Sequence, residues 1–362
     1  MSEVKVGIGL HNKFHIEVKD AETGALVQEG FAENVVLDQG LDKVVNVLAG
    51  DSDMCAGYNG STGFMGGSVA EYGGHYNLQF GGRIFLGSGV TAPDHAQTAL
   101  ATPVYSQAAT VVSSSVASDQ STGNVVQQTV IPAGAQIGDV YREVGLGGGG
   151  GTYAGTLSTR ALIVDGNGDP LTITKIDLQV VTVTSTVYLT LSHGYGANLV
   201  FLGTGTDAAH GSAANVLMRV LLGYQGGGST GAVPSSAAYT PNLYFGSSAT
   251  APANSQAAVL TALTGSPILT TRTKDAVNRK VTWDVRIPAS VTGTIREFGV
   301  EMAQVMYNSI NSWPVAYGRL FRCVLPIGDN SPAFDGVFAD DHIDKDGTNV
   351  VDVSFALQVG SV

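Results

Sequence analysis

Early in the chain apolar residues recur at every second position. Phe14, Ile16 and Val18 share one side of an extended run, Ala21-Glu22-Thr23-Gly24 interrupts it, and the chain returns through Val27 to Phe31. Alternation of this kind marks a half-buried strand, and two such runs around a polar, Gly-containing break make a hairpin. The period then changes. Leu41, Val44, Val45 and Leu48 stand at helical spacing, Asp38 offers an N-cap and Gly50 a stop, so a short helix is expected over 42–48. A second short helix is expected over 213–222, after a Gly-rich lead-in.

From residue 84 onward short runs rich in Val, Ile, Thr and aromatics alternate with turn residues. Strands are expected at Ile84–Leu86, Thr110–Val116, Val125–Ile131, Tyr141–Leu146, Thr159–Val164, Leu171–Ile176 and Val180–Leu191. Later ones fall at Leu243–Phe245, Lys280–Ile287, Ile295–Met302, Arg319–Leu325 and Val350–Val359. Many short strands at such spacing predict a sandwich or barrel. Residues 50–83 carry Gly, Tyr and Ser with no hydrophobic period and read as a long loop, of the kind that is functional or ordered by a neighbour.

The same pattern is written twice. Leu86-Gly87-Ser88-Gly89-Val90-Thr91-Ala92-Pro93-Asp94-His95-Ala96-Gln97-Thr98 recurs as Phe245-Gly246-Ser247-Ser248-Ala249-Thr250-Ala251-Pro252-Ala253-Asn254-Ser255-Gln256-Ala257. Tyr141-Arg142-Glu143-Val144-Gly145-Leu146 recurs as Ile295-Arg296-Glu297-Phe298-Gly299-Val300, each after an Ile-Pro-Ala, at 131–133 and 287–289. Thr159-Arg160-Ala161-Leu162-Ile163 finds its counterpart in Phe321-Arg322-Cys323-Val324-Leu325. Block order holds while spacing drifts, as loop insertions do to a duplicated module. The fold expected is therefore mainly β: two tandem antiparallel β-sandwich domains, 1–186 and 187–362, each with one short helix.

Composition narrows the partners. The chain is 44% hydrophobic but only 13% charged, with 48 Gly and a net charge of -12. Phosphate backbones are bound by clustered Lys and Arg, so no nucleic acid is expected. No apolar run reaches the length of a membrane span, and the start lacks a signal-peptide pattern. A low-charge surface of small residues suits close packing against neighbours, including other copies of the chain.

Candidate chemistry is thin. The Arg-Glu pairs are the best-kept charges of the two copies, and neighbours on a strand point to opposite faces, so one of each pair turns inward. Glu143 is expected to pair with Arg160 and Glu297 with Arg322, with Arg142 and Arg296 part of the same structural charge sets. No second carboxylate or His recurs beside them to make an acid–base pair. Asp165, Asn167 and Asp169 alternate like calcium ligands, but a turn explains them; the acidic stretch Asp340–Gly347 reads as a solvated loop. Cys55 and Cys323 form no CxxC, the histidines suggest no zinc site, and the five glycines at 147–151 lack the Gly-Lys-Ser/Thr of a phosphate loop. No cofactor, metal or catalytic residue is assigned. Tyr58, Phe64, Tyr72, Tyr76 and Phe80 make the long loop a candidate contact surface.

The assembled blocks resemble bacteriophage virion structural proteins, met as tail or tail-fibre-associated proteins. The resemblance rests on Phe14–Gly24, Glu33–Leu41, Ile84–Gly89 with Thr91-Ala92-Pro93, Arg142–Gly145 and Thr159–Lys175. It covers most of the first copy and less of the second. It implies a non-enzymatic component of the tail, collar or fibre apparatus, located in the virion after synthesis in the host cytoplasm. Its partners would be other virion proteins, further copies of itself, and a host surface glycan or receptor. A capsid decoration or head-fibre protein, and a glycan-binding protein, are the alternatives.

Overall fold

In the computed structural model, residues 2–49, 81–147, 157–203, 217, 241–253, 255–305, 315–326 and 342–361 are described. The fold is mainly β. The chain begins with β1 (Ser2–Asp20), β2 (Leu26–Glu33), β3 (Val35–Val36), helix α1 (Asp38–Ala49), β4 (Arg83–Gly87) and β5 (Pro103–Ala108). It continues through β6 (Thr110–Val116), β7 (Thr122–Ile131), β8 (Val140–Tyr141), β9 (Glu143–Gly147), β10 (Leu157–Leu162), β11 (Ile173–Thr174) and β12 (Gln179–Ser192). The second half supplies β13 (Leu199–Phe201), β14 (Asn242–Gly246), β15 (Ile268–Leu269), β16 (Thr271–Asp275) and β17 (Lys280–Ile287). It ends with β18 (Thr292–Ile295), β19 (Glu297–Val305), β20 (Val315–Val324), β21 (Ile343–Asp346) and β22 (Val351–Ser361).

Two five-stranded sheets are built in the same order, β3-β10-β9-β4-β5 in the first half and β13-β20-β19-β14-β15 in the second. Two small ladders correspond likewise, β11 with β8 and β18 with β21. The remaining strands join one wide sheet, β16-β17-β22-β1-β12-β7-β6, with β2 added on β1. The two halves therefore share a sheet. The boundary expected at 186/187 falls inside β12, which pairs along Gly7–Asp20, and the chain passes between halves after Ser192. The wide sheet is also not wholly antiparallel, because Ser2–Leu10 of β1 run parallel to Val353–Ser361 of β22. Parallel neighbours need a long crossover, and here nearly the whole chain lies between them.

Register decides which faces are buried. Val4, Val6, Ile8, Leu10, Phe14, Ile16 and Val18 alternate inward along β1, and Val4 lies beside Phe355 of β22. Asn12 falls on the same face and donates to Thr159 Oγ1 of β10 at 3.2 Å, while Phe355 meets Phe321 of β20 edge to face. Both five-stranded sheets thus lie on one face of the wide sheet, in sandwich fashion. A single apolar cluster takes in side chains from both halves, among them Ile16, Val144, Val183, Trp283, Phe298 and Phe355.

Helix α1 starts at Asp38, earlier than expected, and buries Leu41, Val44, Val45 and Leu48 as its spacing implied. Asp38 and Asp42 bind Arg279 at the β16–β17 turn, tying a first-half helix to second-half strands. The second expected helix, over 213–222, lies outside the described residues except for Leu217, which is buried.

Candidate functional site

The repeated charges meet in both halves. On β9, Glu143 lies opposite Leu162 of β10, and Arg160, two residues earlier on that strand, projects from the same face beside Gly145. On β19, Glu297 lies opposite Val324 and Arg322 beside Gly299. Val144 and Leu146, like Phe298 and Val300, face inward to the wide sheet, so each Glu–Arg pair lies on the outer face of its five-stranded sheet. That face is roofed by residues 88–102 in the first half and by 247–253 and 255–261 in the second. All four charged side chains are fully buried.

The roof hangs on the carboxylate. Glu143 Oε1 accepts the backbone N–H groups of Gly89 (3.0 Å) and Thr102 (2.8 Å), and Oε2 accepts the backbone N–H of Ala101 (3.0 Å) and the Nε–H of Arg160 (2.8 Å). Glu297 Oε1 accepts from the backbone of Ser248 (3.2 Å) and Thr261 (2.9 Å), both its oxygens lie within reach of Leu260 N, and Oε2 takes Arg322 Nε (2.8 Å). A carboxylate has about four lone-pair sites, and here every one is filled. Neither Glu retains an acceptor site for a substrate proton.

Each guanidinium then holds the Thr-Ala-Pro segment of the roof. Arg160 donates to the carbonyls of Thr91 (2.8 Å) and Ala92 (3.3 Å), and Arg322 to that of Thr250 (3.0 Å). The third member of each set is a glutamine. Gln97 Oε1 accepts from Arg160 Nη1 at 2.6 Å and from Asp94 N at 2.9 Å; Gln256 Oε1 accepts from Arg322 Nη1 at 2.8 Å and from Ala253 N at 2.8 Å. These two glutamines were not singled out in the sequence, although they align in its first repeated block.

Small residues are required where the carboxylate approaches. A Cβ on Gly87 would stand 2.5 Å from Glu143 Oε1 and 2.5 Å from the Thr102 carbonyl oxygen; on Gly246 it would meet Glu297 Oε1 and the Thr261 carbonyl at the same distances. Gly299 is tighter still, with the Ala258 carbonyl oxygen 1.9 Å from where its Cβ would be. The Gly-Ser and Arg-Glu-x-Gly signatures are thus the marks of one buried cluster.

Arg142 and Arg296 do not belong to it. Their backbone N–H groups continue the sheet, donating to the Gly87 and Gly246 carbonyls at 2.8 Å each. The Arg142 side chain is exposed at the break between β8 and β9, and its Nε donates to Thr172 Oγ1 at 3.1 Å. Among the described residues it makes no ion pair, which corrects the expectation. Arg296 is half-buried at the same junction.

The other candidates resolve into local structure. Asp165 Oδ1 accepts from Asn167 N (2.8 Å) and Asp169 N (3.0 Å), which closes a turn and holds its carboxyl below the usual range. Asp346 does the same for Thr348, side chain and backbone. No group of three potential metal ligands occurs among the described residues. His11 and His15 share the outer face of β1, roughly 13 Å apart at about 3.3 Å per strand residue, too far to hold one ion. Burial pushes the Cys323 thiol up to about 12, so it is an inert packing group on β20 where Ala161 stands in the first half. Lys175 and Lys345, two residues beyond Ile173 and Ile343, are buried in both halves; Lys175 donates to the Ile176 carbonyl at 2.8 Å and Lys345 to that of Asn349. Lys43 of α1 is buried and donates to Ser158 Oγ at 3.2 Å, and burial pushes its amine down to about 7. Tyr58, Phe64, Tyr72, Tyr76 and Phe80, with Cys55, lie outside the described residues, as does Gly227-Gly228-Ser229-Thr230-Gly231, whose spacing is that of a serine nucleophile elbow. No helix among the described residues is long and apolar enough to cross a membrane. No protein-family model, no curated protein and no solved structure matches the chain.

Proposed function

We propose that the chain is a non-enzymatic structural subunit of a bacteriophage virion, belonging to the tail, collar or fibre apparatus and acting through protein–protein assembly. One observation carries the reading: the best-kept charges of both halves are spent inward, fixing loops, with every acceptor position of Glu143 and Glu297 occupied by the protein itself. A charge set so used serves rigidity rather than turnover. The low charged fraction of 13% and the resemblance of the strand-and-turn blocks support the same reading.

Mass spectrometry of purified phage particles tests it. The chain should appear among the virion proteins at the stoichiometry of the tail apparatus. A copy number near that of the major shell protein would move it to the capsid surface, and absence from particles would sink the proposal.

A further inference from the structure

At one end of the wide sheet the chain builds a trough across β6, β7 and β12. The register sets Ser115, Asn124 and Tyr188 side by side in one cross-strand row, and Ala117, Thr122 and Thr190 in the next row but one. Both rows stand on the face turned away from the five-stranded sheets. In the row between them Val116 and Leu189 pack toward the core, and Gly123, which joins them, has no side chain. The floor is therefore backbone, and the walls are two lines of side chains about 6.7 Å apart, two residues along a strand. The space measures about 400 Å³, within the range of small-ligand sites.

The chemistry of this trough is narrow. No lining residue carries a charge, so phosphates, carboxylates and cations find no counter-charge there. An added peptide strand needs an unpaired edge, and β7, in the middle of the trough, is paired on both sides. What remains is hydroxyl, amide and one aromatic ring. The hydroxyls of Thr122, Thr190 and Tyr188 make no side-chain hydrogen bond among the described residues. Asn124 Nδ2 donates to Ser115 Oγ at 2.8 Å, which fixes the amide and leaves its Oδ1 as an acceptor. Tyr188 is 37% exposed and has the His11 ring beside it, centroids 5.9 Å apart.

We infer that this trough is a carbohydrate site, taking a neutral oligosaccharide laid across β6, β7 and β12. Sugar hydroxyls both donate and accept hydrogen bonds, as do those of Thr122 and Thr190. The C–H face of a sugar ring is apolar, as is the Tyr188 ring, whose phenol adds a polar tip. The bound sugar stays intact, because no carboxylate lines the trough to protonate or attack a glycosidic bond. The opposite end of the same sheet presents a different surface, with Arg272, Lys274, Lys280 and Asp284 on β16 and β17. The inference goes beyond the virion reading and does not rest on it.

The test is an array of neutral oligosaccharides of glucose, galactose, mannose and N-acetylglucosamine beside sialylated and sulfated ones, probed with the full chain. The wild type should bind neutral glycans, and Tyr188→Ala and Asn124→Leu should each weaken that binding about tenfold or more. Thr122→Val removes one hydroxyl at nearly equal volume, so it is the variant least able to disturb folding, and it should weaken binding too. Thr186→Ala, on the same face of β12 but outside the trough, should bind as the wild type does. Far-UV spectra and thermal melting should be unchanged in Thr122→Val and Thr186→Ala. A wild type that binds no neutral glycan, binding confined to the acidic glycans, full binding by Tyr188→Ala or by Thr122→Val, or an equal loss in Thr186→Ala would each overturn the inference.

Discussion

Glu143 and Glu297 occupy settings that match group by group, each with an arginine across the neighbouring strand, a glutamine beyond it, a glycine beneath and a roof loop bonded through its backbone. The end strands β6 and β16 of the same two halves share position and little else. The difference shows where this fold tolerates change. A fully buried carboxylate is linked to everything around it, since losing any one partner leaves a charge or a backbone N–H unsatisfied in a place water cannot reach. An edge strand answers only to solvent and to whatever it meets. So the cluster keeps its residues while the edges diverge, one strand charged and the other uncharged but bulged between Val111 and Ser113.

The largest effect should come from cutting one member out of a cluster. Arg160→Met or Arg322→Met strands a buried carboxylate and should cost about 3–5 kcal/mol in denaturant unfolding. Adding Glu143→Gln to Arg160→Met should restore part of the loss, because two neutral groups are less costly to bury than one unpaired charge. Equal losses in both halves would sharpen the comparison, and a neutral result in either would break it. Next come the glycines. Gly87→Ala and Gly246→Ala each force a methyl into a carboxylate and a carbonyl and should destabilise by roughly 1–3 kcal/mol, whereas Gly138→Ala, with nothing near its would-be Cβ, meets only the strain of its positive φ of 90°.

Lys43 tests a feature of helix α1. Its folded amine titrates at about 7 and its unfolded amine at the ordinary lysine value near 10.5, so between these the unfolded chain binds more protons. Stability should therefore rise from pH 7 toward pH 10, by up to about 4 kcal/mol, and thermal melting of Lys43→Met should lack that rise. The smallest effect belongs to the glutamines: Gln97→Ala and Gln256→Ala should each cost about 1–2 kcal/mol, alike in the two halves.

Much of this was legible in the sequence, and its omissions have physical causes. The pairing of Glu143 with Arg160 and of Glu297 with Arg322 follows from strand alternation plus recurrence. Arg142 joins those charges only by adjacency in the sequence; it stands at the break between β8 and β9 and faces solvent where an ion pair was expected. Gln97 and Gln256 stood aligned in plain view, but an uncharged residue in a turn-rich block carries no local signal of burial. Ser2–Asn12 alternates as clearly as Phe14–Val18, yet Gly7 and Gly9 thin the pattern, and the strand was not expected to begin at Ser2. β5 starts at Pro103 and reads as loop. The shared wide sheet was beyond reach, since the parallel contact of β1 with β22 joins the two ends of the chain and neither segment records its partner.

The clearest single test is amide hydrogen exchange on Glu143→Gln beside Glu297→Gln. In Glu143→Gln the amides of Gly89, Ala101 and Thr102 should lose protection while those of Ser248, Leu260 and Thr261 keep it, and Glu297→Gln should give the reverse. Roof amides that stay protected in either variant, or a loss spread evenly over both halves, would contradict the claim that each buried pair holds the roof of its own sheet.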